Sequence, residues 1–234
     1  MKPVDKGVDR GTYSSYEHAK PELLAALGEH CSYCERAGAP QDLHVEHIYP
    51  ANAHPSRSTD WSNFLIACNT CNTYKRSYLG DGRQRSLLER YLWPHTDNTA
   101  SAFRYKSTGE VEIAATVPSA LRAKAELTRD MAGLLLSPAK ATNYSKLGVA
   151  YDGASRRSQA WSQASGFRVL FLQNATAANA VVIANGASSI GYFSIWMEVF
   201  HDQPLVRQEL IRAFKADQKC FVPATTALVP KGRI

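Results

Sequence analysis

The sequence of 234 residues has no apolar run long enough to cross a bilayer. Its longest candidate, residues 175–184, falls short of the ~18 residues that a spanning helix needs. No charged–apolar–small signal segment opens the chain. Cysteine is scarce, since the five cysteines are too few for a disulfide scaffold and odd in number. These absences argue against a membrane protein and a Sec-exported protein, and they predict a chain that works in the reducing cytoplasm.

The first part of the chain also lacks an excess of charge of either sign. Residues 1–100 carry 11 Lys and Arg against 12 Asp and Glu, whereas residues 101–234 carry 16 against 9. The formal net charge of +6 therefore belongs to the second part. A basic surplus suggests an anionic partner, nucleic acid first. Such a surplus is equally common in proteins that bind no nucleic acid, so charge alone leaves both readings open.

Hydrophobic periodicity and turn residues predict an α+β fold that is mainly α-helical. Helices are predicted over residues 15–27, 81–92, 118–136, 155–172, 175–184, 191–201 and 204–215. A β-hairpin is predicted over 103–113, and residues 1–12 are predicted to form a loose polar arm.

Internal repeats and low-complexity tracts are lacking, so the chain is divided by composition alone. We expect an N-terminal arm and helix over residues 1–30 and a metal-bearing module over 31–80. A hairpin with a helical domain follows over 81–234, and contacts a partner or nucleic acid. The boundary between the last two parts is predicted near residues 80–97.

Four of the five cysteines form two C-x-x-C pairs, Cys31 with Cys34 and Cys68 with Cys71. Each pair can place two thiolates on one ion, and four thiolates make a closed tetrahedral zinc site. A redox C-x-x-C needs only one pair and a thioredoxin-like context, which is absent. The spacing therefore predicts a structural zinc ion that staples residues 31–80. Cys220 is left over and is predicted to be a small core residue.

The segment between the two pairs carries H-V-E-H-I-Y-P at residues 44–50 and W-S-N-F-L at 61–65. Alternation predicts a strand around residues 43–47, and an apolar run predicts a second strand at 64–66. Residues 69–77 can form a helix directly after the second cysteine pair. A hairpin and a helix held by zinc place four polar residues around one cleft: Glu46, His47, Asn63 and Asn72. An additional histidine, His44, is either a peripheral ligand or a structural residue.

The series E-H-I-x-P, N-F-L and C-x-x-C-N-x-x-K, between Cys31 and Lys75, resembles the zinc-stabilised HNH (ββα-metal) endonucleases. The resemblance implies that His47 is the general base that deprotonates a water for attack on a phosphodiester. It implies that Glu46 and Asn72 hold the catalytic divalent metal. Asn63 then hydrogen-bonds the loop that carries the base and fixes its orientation.

The chemistry of these residue types agrees with the resemblance. A neutral imidazole oriented by a second group is a competent base at cellular pH. Glu46 and Asn72 offer oxygen atoms, which suit Mg²⁺ or Mn²⁺ better than zinc. We therefore expect two metals, zinc for folding and Mg²⁺ or Mn²⁺ for cleavage. The resemblance also makes Lys75 a contact to substrate phosphate, and Arg76 is predicted to share that role.

Basic residues continue beyond the motif, and two readings of them stay open. The run consists of Lys75, Arg76, Arg83, Arg85 and Arg90. Such a run usually forms a solvent-exposed surface. Beside a nuclease cleft it could instead form a phosphate track, a path of basic side chains that binds the phosphates of the substrate. Trp61 is predicted to be a core anchor rather than a base-stacking residue.

Five further segments resemble a narrower group, the PtuB-like HNH subunits of Septu and retron-associated anti-phage defence systems. The segments are A-K-P-E-L-L (19–24), C-S-Y-C-E (31–35), W-S-N-F-L-I-A-C (61–68), W-P-H-T-D-N-T (93–99) and G-E-V (109–111). The resemblance implies a partner ATPase of the ABC/SMC-like class (PtuA-like). For the retron-associated members it also implies a reverse transcriptase with its DNA/RNA.

The partner contact is expected in the helical half of the chain. The stretch considered for it contains Tyr192, Phe193, Ile195, Trp196, Met197, Val199 and Phe200. The alternative, which periodicity favours, is that this stretch is the core of the helical domain.

The sequence therefore predicts a metal-dependent endonuclease that acts as a defence effector. One alternative is a stand-alone restriction-type HNH nuclease that recognises its own target. The other is a non-catalytic zinc module that binds nucleic acid or protein, although such a module has no need for Glu46, His47, Asn63 and Asn72 together. DNA is the favoured substrate, and RNA such as transfer RNA is the alternative.

Overall fold

The computed structural model describes residues 1–79, 87–135 and 152–234. Within these residues the protein has an α+β fold that is mainly α-helical, as the sequence predicts. Two antiparallel strand pairs are formed by β1 (Leu43–His47) with β2 (Phe64–Cys68) and by β3 (Phe103–Tyr105) with β4 (Val111–Ile113). The helices are α1 (Lys20–Leu27), α2 (Asn69–Leu79), α3 (Leu87–Arg90), α4 (Ser119–Met131), α5 (Gly153–Gln173), α6 (Ala177–Ile190), α7 (Phe193–Val199) and α8 (Pro204–Ala213).

The unit that carries the predicted site consists of β1, β2 and α2. α2 follows β2 directly, since β2 ends at Cys68 and α2 begins at Asn69. α2 packs against both strands, and α1 covers the pair as well. The two strands and the helix predicted from the alternation and the apolar run are therefore confirmed.

The first residues of the chain are buried, and the prediction of a loose arm is wrong for them. Met1, Lys2 and Val4 are all less than 2% exposed, whereas residues 7–12 are exposed. Lys2 Nζ donates hydrogen bonds to the carbonyl oxygens of Leu27 and Phe214, at 2.7 and 2.6 Å. These carbonyls lie at the C-terminal ends of α1 and α8, where the helix dipole favours a cation. Burial lowers the pKa of Lys2 to about 7.

The aromatic stretch over residues 192–200 is the core of the helical half. Each of its large side chains is at most 8% exposed. The rings of Trp196 and Phe200 are stacked with centroids 6.3 Å apart, and Phe193 meets Phe214 edge to face at 5.4 Å. α7 thus packs inside the bundle of α5, α6 and α8. The prediction that this stretch is the core of the helical half is confirmed, and a partner contact elsewhere in the helical half stays a prediction.

The helix boundaries follow the predicted ones except in four places. α4, predicted over 118–136, ends at Met131, five residues early. The first predicted helix begins as a 3₁₀ turn (Tyr16–Ala19), and α6 continues six residues past its predicted end before it stops at Gly191. The predicted helix over 81–92 falls partly outside the described residues, and only α3 of it is seen. The hairpin over 103–113 is confirmed. No helix in the described ranges is both long and apolar enough to span a membrane.

A buried carboxylate joins the first cysteine pair to the helical half. Glu35 Oε2 accepts a hydrogen bond from the backbone N–H of Ser194 at 2.8 Å, and Oε1 accepts one from the Ser194 hydroxyl at 2.6 Å. The carboxylate therefore supplies an acceptor to the first turn of α7. Gly191 allows this approach, because a Cβ there would lie only 2.4 Å from the backbone nitrogen of Ala37. We call this contact, made by Glu35, Gly191 and Ser194, the Glu35 joint.

Candidate active site and metal centre

The four cysteines of the two C-x-x-C pairs meet in one buried cluster. Their sulfur atoms all lie within 4.8 Å of one another, and Sγ of Cys34 is 3.9 Å from Sγ of Cys68. Four sulfurs placed about 2.3 Å from a tetrahedral zinc ion are about 3.8 Å apart. The four cysteines are therefore positioned to bind one zinc ion, as the sequence predicts.

The pKa values of thiols in this cluster are also shifted by burial and by one another. Hydrogen bonds from the three neighbouring thiols lower the pKa of Cys68. Burial raises the pKa of Cys31, and the neighbouring sulfurs raise that of Cys71. A divalent cation bound by the cluster would supply the positive charge that favours the thiolate form of these cysteines.

The β1–β2 hairpin and α2 bring the predicted catalytic residues to one cavity of about 400 Å³. Glu46 and His47 lie at the end of β1, and Asn72 and Arg76 come from α2. The cavity is also lined by Tyr16. A carboxylate, an amide and an imidazole therefore share one opening, which is the donor set expected for a hard divalent cation beside a base.

The orientation of the His47 ring defines which nitrogen can act as a base. Nε2 lies 2.8 Å from the backbone carbonyl oxygen of Ser58. A carbonyl only accepts hydrogen bonds, so Nε2 carries the proton and Nδ1 holds the free lone pair. Among the described residues, Nδ1 makes no hydrogen bond to the protein.

Two aromatic rings hold His47 in this orientation. Phe64 on β2 meets the imidazole edge to face, with ring centroids 5.3 Å apart. Tyr16, from the 3₁₀ turn before α1, meets it edge to face at 5.0 Å. Tyr16 was not predicted, because it lies far from the motif in sequence and no local pattern marks it.

Asn63 braces the loop that follows His47. Its Oδ1 accepts a hydrogen bond from the backbone N–H of Tyr49 at 2.7 Å. Its Nδ2 donates to the carbonyl oxygens of Tyr49 and Arg57, at 3.1 and 2.9 Å. The side chain is buried and links the strand end to the segment that bears Ser58. This geometry accords with the role that the resemblance implies for Asn63.

We expect Asn63→Ala to lower both stability and activity. The change leaves backbone groups of the loop without partners, and each buried unsatisfied group costs about 1–3 kcal/mol. A urea titration of the free energy of unfolding measures the loss, with exposed Asn185→Ala as the control. An Asn63→Ala protein as stable as the control would contradict the bracing role.

Glu46 is buried and is held by two side chains. Its Oε1 accepts a hydrogen bond from the Tyr33 hydroxyl at 3.1 Å and lies 2.5 Å from Lys75 Nζ. Burial, and then the charge of Glu46, raise the pKa of Tyr33 well above its usual value, so the hydroxyl stays protonated. Tyr33 was missed by the sequence reasoning, although its place between Cys31 and Cys34 marks it as a residue that zinc would fix.

The prediction that Lys75 contacts substrate phosphate is corrected by its surroundings. Lys75 is 3% exposed, and its ammonium group also donates to the carbonyl oxygens of His47 and Ile48. With Glu46 as the third acceptor, all three N–H bonds are used inside the protein. Lys75 therefore fixes the end of β1, and Arg76, which is exposed, stays the predicted phosphate contact.

The other described residues that the sequence singled out do not line the cavity. His44 is exposed on β1, and Trp61 is a buried anchor, as predicted. Cys220 is buried outside the cysteine cluster. Arg83 and Arg85, from the predicted phosphate track, fall outside the described residues.

Comparison with known proteins identifies the ββα region. Residues 31–77 match the family model described as HNH endonuclease. No match was found among curated proteins. The matched segment begins at Cys31 and contains the four clustered cysteines together with Glu46, His47, Asn72 and Arg76. Residues 31–77 of this chain thus form an HNH endonuclease domain with a four-cysteine cluster able to bind zinc.

Proposed function

We propose that the protein is a metal-dependent endonuclease that hydrolyses phosphodiester bonds in nucleic acid. The observation that carries the proposal is the meeting of Glu46, His47 and Asn72 at one cavity, where Nδ1 of His47 makes no hydrogen bond to any residue that the structure describes. The HNH endonuclease family match over residues 31–77 supports it independently. A non-catalytic zinc module would not require these three residues together.

In this proposal His47 takes the proton of the attacking water through Nδ1. The carbonyl of Ser58 holds the Nε2 proton and stabilises the imidazolium that forms. Glu46 and Asn72 would hold Mg²⁺ or Mn²⁺, which supplies positive charge to the phosphate and the leaving oxygen. Asn63 keeps the loop in place, so the base is oriented before the substrate arrives.

DNA is the proposed substrate, with RNA such as transfer RNA as the alternative. Exposed Arg76 at the cavity offers a guanidinium to phosphate. Two partly exposed tyrosines, Tyr16 at the cavity and Tyr78 on α2, offer ring surface to unpaired bases. These features accept either nucleic acid.

A cleavage assay tests the proposal directly. Plasmid, single-stranded DNA and total cellular RNA are incubated with the protein in Mg²⁺, Mn²⁺ or EDTA. Metal-dependent cleavage of one class, lost with EDTA, supports the nuclease and names its substrate. Absence of cleavage in every setting, including one with the partner ATPase added, would favour the non-catalytic binding module.

We further propose that the protein acts in the cytoplasm as a defence effector with an ABC/SMC-like ATPase (PtuA-like). In a retron-associated system, a reverse transcriptase with its DNA/RNA would join them. The support is the resemblance of the five sequence segments. A stand-alone restriction-type nuclease is the alternative, and it would cleave without a partner.

An exposed apolar face on α5 and α6 supports a protein partner. Five aliphatic side chains there are 43–66% exposed: Val169, Leu170, Leu172, Val181 and Val182. Residues 169–197 contain no Asp, Glu, Lys or Arg. α5 and α6 pack against each other, and a concentration of exposed apolar side chains on neighbouring helices is typical of protein interfaces.

We expect Leu170→Glu to weaken the complex with the ATPase encoded beside the gene. A buried unpaired carboxylate is costly at an interface, so the affinity should fall at least tenfold. Calorimetry on the purified pair measures the dissociation constant, with Val8→Glu, at an exposed residue of the N-terminal segment, as the matched control. Equal affinity of both variants for the ATPase would place the contact elsewhere.

A further inference from the structure

The side chains that hold Glu46 both come from the elements that hold the zinc cysteines. Tyr33 lies between Cys31 and Cys34, inside the first C-x-x-C pair. Lys75 lies one helical turn after Cys71 on α2. An ion bound by the four cysteines would therefore fix the positions of both residues at once.

Both contacts are made to the same oxygen of Glu46. The Tyr33 hydroxyl donates to Oε1 at 3.1 Å, and Lys75 Nζ is 2.5 Å from Oε1. All three side chains are less than 5% exposed, so solvent does not compete for these bonds. Residues next to the zinc-cluster cysteines thus bind one oxygen of the Glu46 carboxylate. Glu46 also lines the cavity of the proposed active site.

We propose that Tyr33 and Lys75 form a clamp that positions Glu46 as a one-oxygen ligand of the catalytic cation and couples this ligand to the zinc cluster. We call the three residues the Glu46 clamp. The inference rests on the proposed function, because it takes Glu46 as the ligand of the divalent ion. It goes further by giving the zinc cluster a second effect, on the affinity of the neighbouring cation site.

The clamp has a consequence for both residues. Ligand-orienting hydrogen bonds in the outer shell of a metal site typically change metal affinity or activity by roughly 10- to 100-fold. Tyr33 and Lys75 would act through Glu46 and would not touch the substrate, so both are positioning residues. Lys75 also holds the His47 and Ile48 carbonyls, which makes Tyr33 the cleaner residue to change.

Tyr33→Phe tests the clamp, because it removes the hydroxyl and keeps the buried ring. The matched control is Tyr105→Phe, which removes another buried hydroxyl, one that accepts a hydrogen bond from the N-terminal amine of Met1 at 2.7 Å. For each protein we would measure zinc content, Mn²⁺ affinity by calorimetry, melting temperature, and cleavage as a function of Mn²⁺ concentration.

The expected result is full zinc content with Mn²⁺ affinity weaker by roughly 10- to 100-fold in Tyr33→Phe only, and cleavage restored at high Mn²⁺. Mn²⁺ affinity equal to wild type, or a loss of zinc that accompanies the weaker affinity, would overturn the clamp. Wild-type protein that binds Mn²⁺ but cleaves nothing would overturn the proposed function alone. Wild-type protein without Mn²⁺ binding would overturn both.

Discussion

His47→Ala is expected to lower nucleic-acid cleavage by roughly 10²- to 10⁴-fold, the usual contribution of a general base. The loss follows from the geometry, because His47 lines the cavity and its Nε2 is held by the Ser58 carbonyl, which leaves the lone pair on Nδ1. The half-buried ring packs on Phe64 and Tyr16 without supporting the core, so the variant should keep its fold and its zinc. Cleavage rates at saturating Mg²⁺ or Mn²⁺ measure the effect.

His44→Ala is the matched control for this change, since His44 lies on the same strand and is exposed. It should leave the rate within a factor of a few of wild type. An His47→Ala protein that cleaves as fast as His44→Ala would show that His47 is not the base. Weakened cleavage in both variants would point to a general effect of β1.

Cys68→Ala is expected to have the largest effect on stability. Structural zinc contributes on the order of 10 kcal/mol to folding in small zinc modules, which is comparable to the whole stability of a domain. Cys68 is fully buried, and its loss opens the tetrahedral set between β2 and α2. The variant should lose zinc and unfold or aggregate, which zinc analysis and thermal unfolding would detect.

Cys220→Ala separates the zinc effect from the loss of a buried thiol. Cys220 is also fully buried, but it lies outside the four-cysteine cluster. Its change should cost about 1 kcal/mol of free energy of unfolding and no zinc. A folded Cys68→Ala protein with one zinc per chain would contradict the four-cysteine assignment.

The site was largely predictable because its residues carry local patterns. Two C-x-x-C pairs, an alternating strand and an Asn directly after the second pair specify a zinc-held hairpin and helix. An ion bound by the four cysteines would also remove much of the freedom in how these elements meet. The positions of Glu46, His47 and Asn72 around one cavity therefore followed from spacing and resemblance.

The contacts that surround the site were not predictable, because they join residues distant in sequence. Tyr16 reaches His47 from outside the motif, and nothing local marks it. Lys75 was predicted to contact phosphate because the resemblance implied it, and no local pattern marks it as buried. It is buried because two backbone carbonyls and Glu46 offer three acceptors for its three donors.

The N-terminal error has a similar origin. Lysine at position 2 predicts an exposed, mobile segment when only composition is considered. The C-terminal ends of two helices provide carbonyl acceptors for the ammonium group of Lys2. These hydrogen bonds between residues distant in sequence stabilise the buried position of the segment. By contrast, the aromatic periodicity of residues 192–200 was sufficient for the core reading, since large apolar side chains at that spacing are usually buried.

The Glu35 joint bears on how the protein can be divided for experiments. A fragment cut near residue 80, where composition places the boundary, would leave the Glu35 carboxylate without Ser194 and the first turn of α7. The fragment would keep the ion pair between Glu35 and the N-terminal amine of Met1, at 3.5 Å, but the loss of both hydrogen bonds and of the packing against α7 would destabilise it. Expression of the nuclease region should therefore retain α7, and the cysteine cluster and the helical half should melt in one cooperative transition.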